Sequence, residues 1–357
     1  MPASPWEMGS EFHLLTDTQT LGADTAAHRL GGELHVSGRA ALVAILDRIS
    51  DRRPRIWLPT YLCPDVRTSL RAGLDVASYG DYPDEPTPRF DSLRAEAGDV
   101  VLAQDTFGLG DPDQWASWMS AHPDVTVIED ITHHCTQERF LRSPAHHVFA
   151  SLRKSLPVAD GGIVFSQDDG LERVSADEHH GSLLKLEAMV MKASFLRGQA
   201  VDKQSFRDLQ VSGENLLGQA NRGGCLAHTA HLVQVLDHDA LVNRWGSNNR
   251  RLARNLSQAG IEGQARPLTA RTTCQGGPFH TVLKCVDRPT RERLRRFLIS
   301  RQVYPAIHWL PDRSSTQAGR RVTELSQSLL TVPTDFRYSD GDIDKLTQVI
   351  EEGLRSV

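Results

Sequence analysis

The segment Ser151-Leu-Arg-Lys154-Ser-Leu-Pro-Val-Ala-Asp160-Gly-Gly162 places a lysine between a strand-like run, residues 147–151, and a turn-rich stretch. A hydroxyl stands three residues before that lysine, and upstream Val127-Ile-Glu-Asp130 closes another apolar run with a carboxylate. An amine can form a Schiff base, a carboxylate can keep a ring nitrogen protonated, and a hydroxyl can bind phosphate. Those are the parts needed to hold pyridoxal 5′-phosphate. The amine reacts only when neutral, so its pKa must fall through burial or a neighbouring cation. Arg153 is adjacent and supplies such a charge if its side chain points that way. Ser-x-x-Lys also opens the serine β-lactamase signature, but the companion Ser-Asp-Asn and Lys-Thr-Gly motifs are missing here.

Ser37-Gly38-Arg39-Ala40 reads as a helix start, where backbone N–H groups bind anions and glycine permits close approach. Arg39 adds its charge, or the backbone alone serves. Asp130 has an ordinary alternative as a helix N-cap after a strand. In Leu58-Pro-Thr-Tyr61-Leu-Cys63-Pro, Tyr61 offers a flat face for stacking on a ring. Its own ordinary alternative is a core tyrosine with a satisfied hydroxyl.

The order and spacing of these residues resemble the sugar-aminotransferase branch of the fold-type-I pyridoxal phosphate enzymes, the DegT/DnrJ/EryC1/StrS family. The resemblance runs from about residue 37 to 354 and is strongest over 99–166. It implies that Lys154 forms the internal aldimine and later shuttles a proton, and that Asp130 faces the pyridine nitrogen. In Glu129-Asp130-Ile-Thr-His133 it puts His133 near the phenolic oxygen, with Thr132 replacing the usual alanine. Ser151, Gly38, Arg39 and Ala40 are implied to hold the phosphate. An ungapped match sets Cys63 at the stacking position, and a short shift sets Tyr61 there; Tyr61 is the expectation. Asp105-Thr-Phe107-Gly108 resembles a turn that shapes the pocket wall. His308, after Val303-Tyr-Pro-Ala-Ile, is expected to face substrate. Asn221 and Arg222 resemble a loop that relatives donate across a dimer interface.

The elements that must position these residues are short. Ala41, Leu42, Ile45, Leu46 and Ile49 recur at helical spacing. Strand-like runs occupy 56–59, 74–79, 100–104, 125–129, 149–151 and 162–166, with helices over 64–71 and 115–121. Strands alternating with helices predict an α/β fold with a mostly parallel sheet covered on both faces. Ligands in such sheets sit beyond the carboxyl ends of the strands. Residues 183–209 read as helical, 213–224 as a Gly/Asn-rich patch and 227–259 as one long charged helix. A strand over 278–286, a helix over 289–301, a strand over 303–309 and a helix over 340–354 suggest a small α+β domain. The expected division is a loose arm (1–28), a large cofactor-binding domain (29–226) and a small C-terminal domain (227–357). With the resemblance, this is the architecture of a fold-type-I pyridoxal phosphate-dependent transferase.

Composition narrows the function. The chain has 357 residues and a formal net charge of −5, without a long basic run, so nucleic acid is not an expected partner. Mean hydropathy is −0.37. No apolar run approaches the roughly 20 residues that span a bilayer, and no signal-peptide pattern opens the sequence. Five dispersed cysteines without a CxxC motif fit a reducing cytoplasm. His133, His134 and Cys135 adjoin, His146-His147 is near, and His228-x-x-His231 has helical spacing. No carboxylate accompanies them as in His-Glu-x-x-His, and chance clusters are expected among 15 histidines, so no metal is expected.

The resemblance implies a two-stage amino transfer in a homodimer with a shared active site. An amino-acid donor, glutamate or glutamine, would give its nitrogen to the cofactor, and a ketone acceptor would receive it. That acceptor would be a keto-sugar or a specialised-metabolite intermediate. A dehydratase subgroup carries histidine where Lys154 stands, which argues against that chemistry. Two other readings stay open: a lyase or carbon–carbon bond-forming enzyme using the same cofactor, and a non-catalytic protein that kept the fold.

Overall fold

A computed structural model describes residues 6–15, 30–49, 54–68, 70, 74–166, 171–174, 179–271, 273–309 and 319–355. Most of the expected arm and the end of the expected 64–71 helix lie outside the described residues. Strand β1 (Met8–Gly9) belongs to a two-stranded pairing considered below. The central sheet contains β2 (Gly32–His35), β3 (Ile56–Pro59), β4 (Val76–Tyr79), β5 (Val100–Gln104), β6 (Thr126–Asp130), β7 (His147–Ser151), β8 (Gly162–Phe165) and β9 (Leu171–Arg173). Their spatial order is β4-β3-β5-β6-β7-β8-β2-β9, and β8 alone runs antiparallel to its neighbours.

Helices α1 (Gly38–Ile49), α2 (Pro64–Thr68), α3 (Ala116–Ala121) and α4 (Gln137–Leu141) connect these strands. Both faces of the sheet are buried, which is why β3 and β5 read as continuous apolar runs. Along β5 the faces alternate. Val100 and Leu102 meet Ala41, Leu42, Ile45 and Leu46 of α1, whereas Val101 and Ala103 meet Trp115 and Trp118. The strand ends that bear Gln104, Asp130 and Ser151 therefore lie side by side at one edge of this layer.

A helical hairpin follows, α5 (His180–Leu196) and α6 (Lys203–Gln219). Residues 213–219, expected in a Gly/Asn-rich patch, continue α6 instead. A Cβ on Gly213 would come within 2.8 Å of the Gly181 carbonyl oxygen and 2.7 Å of Lys185. Glycine at that crossing lets the two helices close together, so its composition signals packing rather than a turn.

The long charged helix expected over 227–259 is two helices, α7 (Ala227–Val235) and α8 (His238–Gln258). Asp237 breaks the run by accepting the Ala240 amide at 2.9 Å as an N-cap. The large-domain core does not stop at residue 226, because Val233, Leu236, Leu241 and Trp245 pack with Leu152 and Ile163. Beyond it, β10 (Ala265–Pro267), β11 (His280–Cys285), α9 (Arg288–Ser300), β12 (Val303–Tyr304), α10 (Arg320–Ser328), β13 (Leu329–Pro333) and α11 (Asp340–Arg355) complete the chain. β10, β11 and β13 form an antiparallel sheet over a core that includes Leu283, Leu294, Leu330 and Ile350.

The expected 303–309 strand keeps strand pairing only at Val303–Tyr304, after which Ala306 bridges Thr331. Its partner is unexpected: β1 runs parallel to β12. Met8 is fully buried in the core that includes Leu283, and Phe12 stacks on Phe336 at 5.5 Å in the core that holds Leu152 and Ile163. The described part of the N-terminal arm is thus packed into both cores rather than loose.

Candidate active site

A cavity of about 590 Å³ opens at the carboxyl edge of the central sheet and contains Gly38, Asp130, His133, Ser151, Lys154 and His308 in its lining. Each is delivered by a strand end or a turn just beyond it. Asp130 is the last residue of β6 and Ser151 the last of β7. Thr132, the departure from alanine, links them: its hydroxyl oxygen accepts the Ser151 amide at 2.9 Å. The Asp130 carboxylate accepts the Thr132 amide at 2.9 Å. Burial pushes the Asp130 carboxyl up to about 6, against the Thr132 hydrogen bonds, which favour its charged form.

His133 is buried, and its Nδ1 accepts the Phe107 amide at 3.0 Å. Burial first, then the nearby His308 and Lys154, lowers its pKa to about 3. The ring is therefore neutral with its proton on Nε2. The Asp105–Gly108 turn earns its motif here, since Phe107 and Gly108 both adopt positive φ to present that amide.

Lys154 lies open to the cavity yet is walled in by protein, and among the described residues its amine makes no hydrogen bond or ion pair. The positive charge of Arg153, followed by burial, lowers its pKa to about 8. The Asp-Gly-Gly turn after it is structural. Asp160 is fully buried and accepts the Leu226 amide at 3.0 Å and the Thr229 hydroxyl at 2.5 Å. Gly162 lies so close to the Ser37–Gly38 backbone that a Cβ would sit 2.2 Å from the Ser37 carbonyl oxygen.

At the start of α1, Ser37 Oγ accepts the Ala40 amide at 3.1 Å. A Cβ on Gly38 would come within 2.9 Å of the Ser151 side chain, so the helix start and the Ser151 hydroxyl share one corner. Arg39 lines the cavity, but its guanidinium donates to the Leu217 carbonyl at 3.3 Å and lies 3.9 Å from Asp65.

Tyr61 requires a correction. It is buried, packs against Phe107 and Trp309, and donates its hydroxyl to the His308 carbonyl. It does not line the cavity, whereas Cys63 does. Two residues along this irregular segment swap inside for outside, and the tyrosine is the better core filler. His308 lines the cavity as expected, with Nδ1 2.9 Å from Thr331 Oγ1 and a pKa lowered to about 4, chiefly by burial. Asn221 and Arg222 do not line this cavity; they are exposed, and Arg222 pairs with Asp47 at 2.5 Å.

Sequence reading missed His280, whose ring lies 5.4 Å from His133 and 6.0 Å from His308 on the same wall. It also missed Glu214 and Lys185 from the hairpin and the Gly9–Phe12 segment, all lining the cavity. No local signal marks them, because their partners are far away in sequence. Glu129, next to Asp130, serves another purpose. With Asp105 it grips the fully buried Arg139, whose Nε donates to Asp105 at 3.0 Å. Among the described residues, no cluster of three or more His, Cys, Asp or Glu could hold a metal, and no helix is long and apolar enough to cross a membrane.

No family model and no curated protein sequence matches the chain. Solved structures do match in shape. DesV of S. venezuelae aligns at 15% identity over 91% of this chain and 85% of that one, with a TM-score of 0.62. TlmJ, an aminotransferase from Streptoalloteichus hindustanus, aligns at 15% identity over 94% and 88%, with a TM-score of 0.60. Spr1654 from Streptococcus pneumoniae, assigned as a sugar aminotransferase and solved in its PMP form, aligns at 13% identity over 90% and 87%, with a TM-score of 0.59. The chain thus has the fold-type-I architecture expected from its motifs.

Proposed function

We propose that the chain is a pyridoxal 5′-phosphate-dependent aminotransferase of the sugar-aminotransferase family, moving an amino group from an amino-acid donor to a ketone acceptor. One observation carries the reading: an uncommitted Lys154 amine, the buried Asp130 carboxyl and the Ser37–Gly38 helix start converge on a single cavity. The residues fit the cofactor. Gly38 and Gly162 let the start of α1 pack directly against the Ser151 side chain and the Ser37 backbone, which brings that helix start and Ser151 together at the cavity.

When bound, the cofactor supplies an aldehyde for the lysine and a ring that takes up electrons from the carbon losing its proton. Lys154 would hold it through its amine and move a proton at the substrate carbon. Asp130, once ionised, would keep the ring nitrogen protonated. His133 would donate a hydrogen bond from Nε2 to the ring's oxygen substituent. Gly38, Arg39 and Ser151 would bind the phosphate through backbone N–H, charge and hydroxyl, whereas Ala40, expected with them, is buried, does not line the cavity and already gives its amide to Ser37 Oγ.

For the acceptor we favour a hydroxylated ketone, a keto-sugar or a specialised-metabolite intermediate. His133, His280 and His308 form a wall of imidazoles whose pKa values all lie below the ordinary range, and such a wall offers uncharged hydrogen-bond partners. The outward placement of Asn221 and Arg222 supports a homodimer in which they reach the partner's cavity. Five cysteines, none of them in a disulfide, support a reducing compartment such as the cytoplasm.

The test is an absorbance titration of the purified chain with pyridoxal phosphate, followed by L-glutamate, L-glutamine and other amino acids one at a time. We expect a visible band that Lys154→Ala abolishes and that a donor bleaches. A band unmoved by every donor removes the aminotransferase reading, and no band at all removes the cofactor.

A further inference from the structure

Glu11 is a carboxylate carried into the cavity by a segment anchored on both sides of it. Before it, the Met8 amide donates to the Gln302 carbonyl at 3.0 Å, and the Gly9 amide donates to the Tyr338 hydroxyl at 2.7 Å. After it, Phe12 stacks on Phe336, and the Leu14 amide donates to the Met189 carbonyl at 3.0 Å. The Glu11 carbonyl itself accepts from Lys192 Nζ at 2.6 Å and from Arg337 Nη1 at 3.3 Å. The backbone is therefore fixed at the residue that bears the carboxylate.

The side chain is held as well, by one of its two oxygens. Lys185, only 5% exposed, donates to Glu11 Oε2 at 2.5 Å and lies 3.2 Å from Glu214. Glu214 in turn takes two donors from Arg153, at 2.6 and 2.7 Å. These four residues line the cavity with alternating sign, and both cations are already paired with carboxylates. Glu11 Oε1 has no partner among the described residues, and its side chain stays 39% exposed. A carboxylate only accepts hydrogen bonds. Its complement is a group rich in O–H or N–H, and an anion placed there meets like charge.

We propose that Glu11 is a specificity-determining residue: its open oxygen accepts hydrogen bonds from hydroxyls of the ketone substrate and turns away substrates that bring a carboxylate or phosphate to that wall. This rests on reading the cavity as the site of a hydroxylated ketone. Phe12 and Met189 also line the cavity, and a placed polar group within apolar surface fixes a ligand's orientation. The anchored backbone and the Lys185 bond keep the carboxylate in place before anything binds, so little freedom is lost on binding.

The experiment uses the full chain without cofactor and is repeated after pyridoxal phosphate is added. The probes are myo-inositol, a ring with hydroxyls and no charge, and quinate, a hydroxylated ring with a carboxylate. Saturation-transfer NMR reads the affinity of each. Wild type should bind myo-inositol more tightly than quinate. Glu11→Ala should weaken myo-inositol by about tenfold, the loss of a hydrogen bond to a charged group. It should also strengthen quinate, because Lys185 loses one of its two carboxylates, and the order of the probes reverses. Glu11→Gln keeps an acceptor oxygen without the charge. It should hold myo-inositol within several-fold of wild type while admitting quinate, and it carries the test if the alanine variant does not fold. A role in folding alone would move both probes the same way. Parallel losses, unchanged affinities, or a wild type that prefers quinate or binds no myo-inositol overturns the proposal. The probes need no cofactor, so a chain that takes up no pyridoxal phosphate yet shows the reversal would sink the functional reading alone.

Discussion

The Phe107 amide donates to Nδ1 of His133 at 3.0 Å, from a backbone turn that no β-branched side chain would readily accept. That bond chooses the imidazole tautomer and aims a donor at the cavity. His133→Gln retains a donor and should keep cofactor affinity within several-fold. His133→Leu removes it and should weaken binding about tenfold, the equivalent of one hydrogen bond of about 1.4 kcal/mol. Equilibrium titration of both variants with pyridoxal phosphate decides it, and equal affinities would remove His133 from the site.

Asp130 trades stability for chemistry. Its carboxyl titrates near 6 in the fold, above the ordinary 3.8. Between those values the folded chain binds more protons than the unfolded one, so stability falls as pH rises through that window. Forcing the charge costs the cofactor-free protein on the order of 3 kcal/mol at neutral pH. Asp130→Asn should therefore raise the melting temperature at about pH 7.5 far more than at about pH 4.5. The same variant should slow the donor half-reaction by on the order of a hundredfold. A pH-independent change in melting temperature would contradict the burial argument.

Tyr61 and Cys63 should exchange the roles expected of them. Tyr61→Phe keeps the ring among Phe107 and Trp309 and loses only the bond to the His308 carbonyl. It should cost about 1 kcal/mol in urea unfolding and leave cofactor affinity within about twofold. Cys63→Ser should alter the spectrum of the bound cofactor, because that side chain faces the cavity. A larger effect on affinity from Tyr61→Phe than from Cys63→Ser would restore tyrosine as the stacking residue.

Arg139 neutralises Glu129 and Asp105 with no exposure of its own. Arg139→Met strands two buried carboxylates and should destabilise the chain by about 3–5 kcal/mol. Asp105 also accepts the Gly110 amide at 2.9 Å, closing the turn that carries Phe107. Loss of Arg139 should therefore reach His133 as well, and fluorescence-monitored unfolding beside cofactor titration would show both effects. A fully stable variant would mean that the guanidinium between the two carboxylates is dispensable.

The legible part of the sequence was local. Asp130 and Ser151 sit at strand ends and Lys154 on the turn just beyond one, and an apolar run closing in a polar residue shows such an end without any partner. His133 and the Ser37–Gly38 helix start share that property. Tyr61 failed because the stretch between Pro59 and Pro64 has no period to fix its register. Glu214 and Lys185 stayed hidden because their meaning lies in partners 61 and 174 residues away. Gly213 misled because its two uses, turning a chain and admitting a neighbouring helix, look alike in one dimension. Helix α10 and strand β13 went unread, and the contact of β1 with β12 spans almost the whole chain.

That last pairing sets an order of events during synthesis. Residues 8 and 9 leave the ribosome about 295 residues ahead of the strand that receives them. At the translation speeds typical of cells, Met8 waits tens of seconds for its berth. Glu7 and Glu11, the acidic residues on either side of it, keep this waiting segment from being a purely greasy one, a form of protection against premature association.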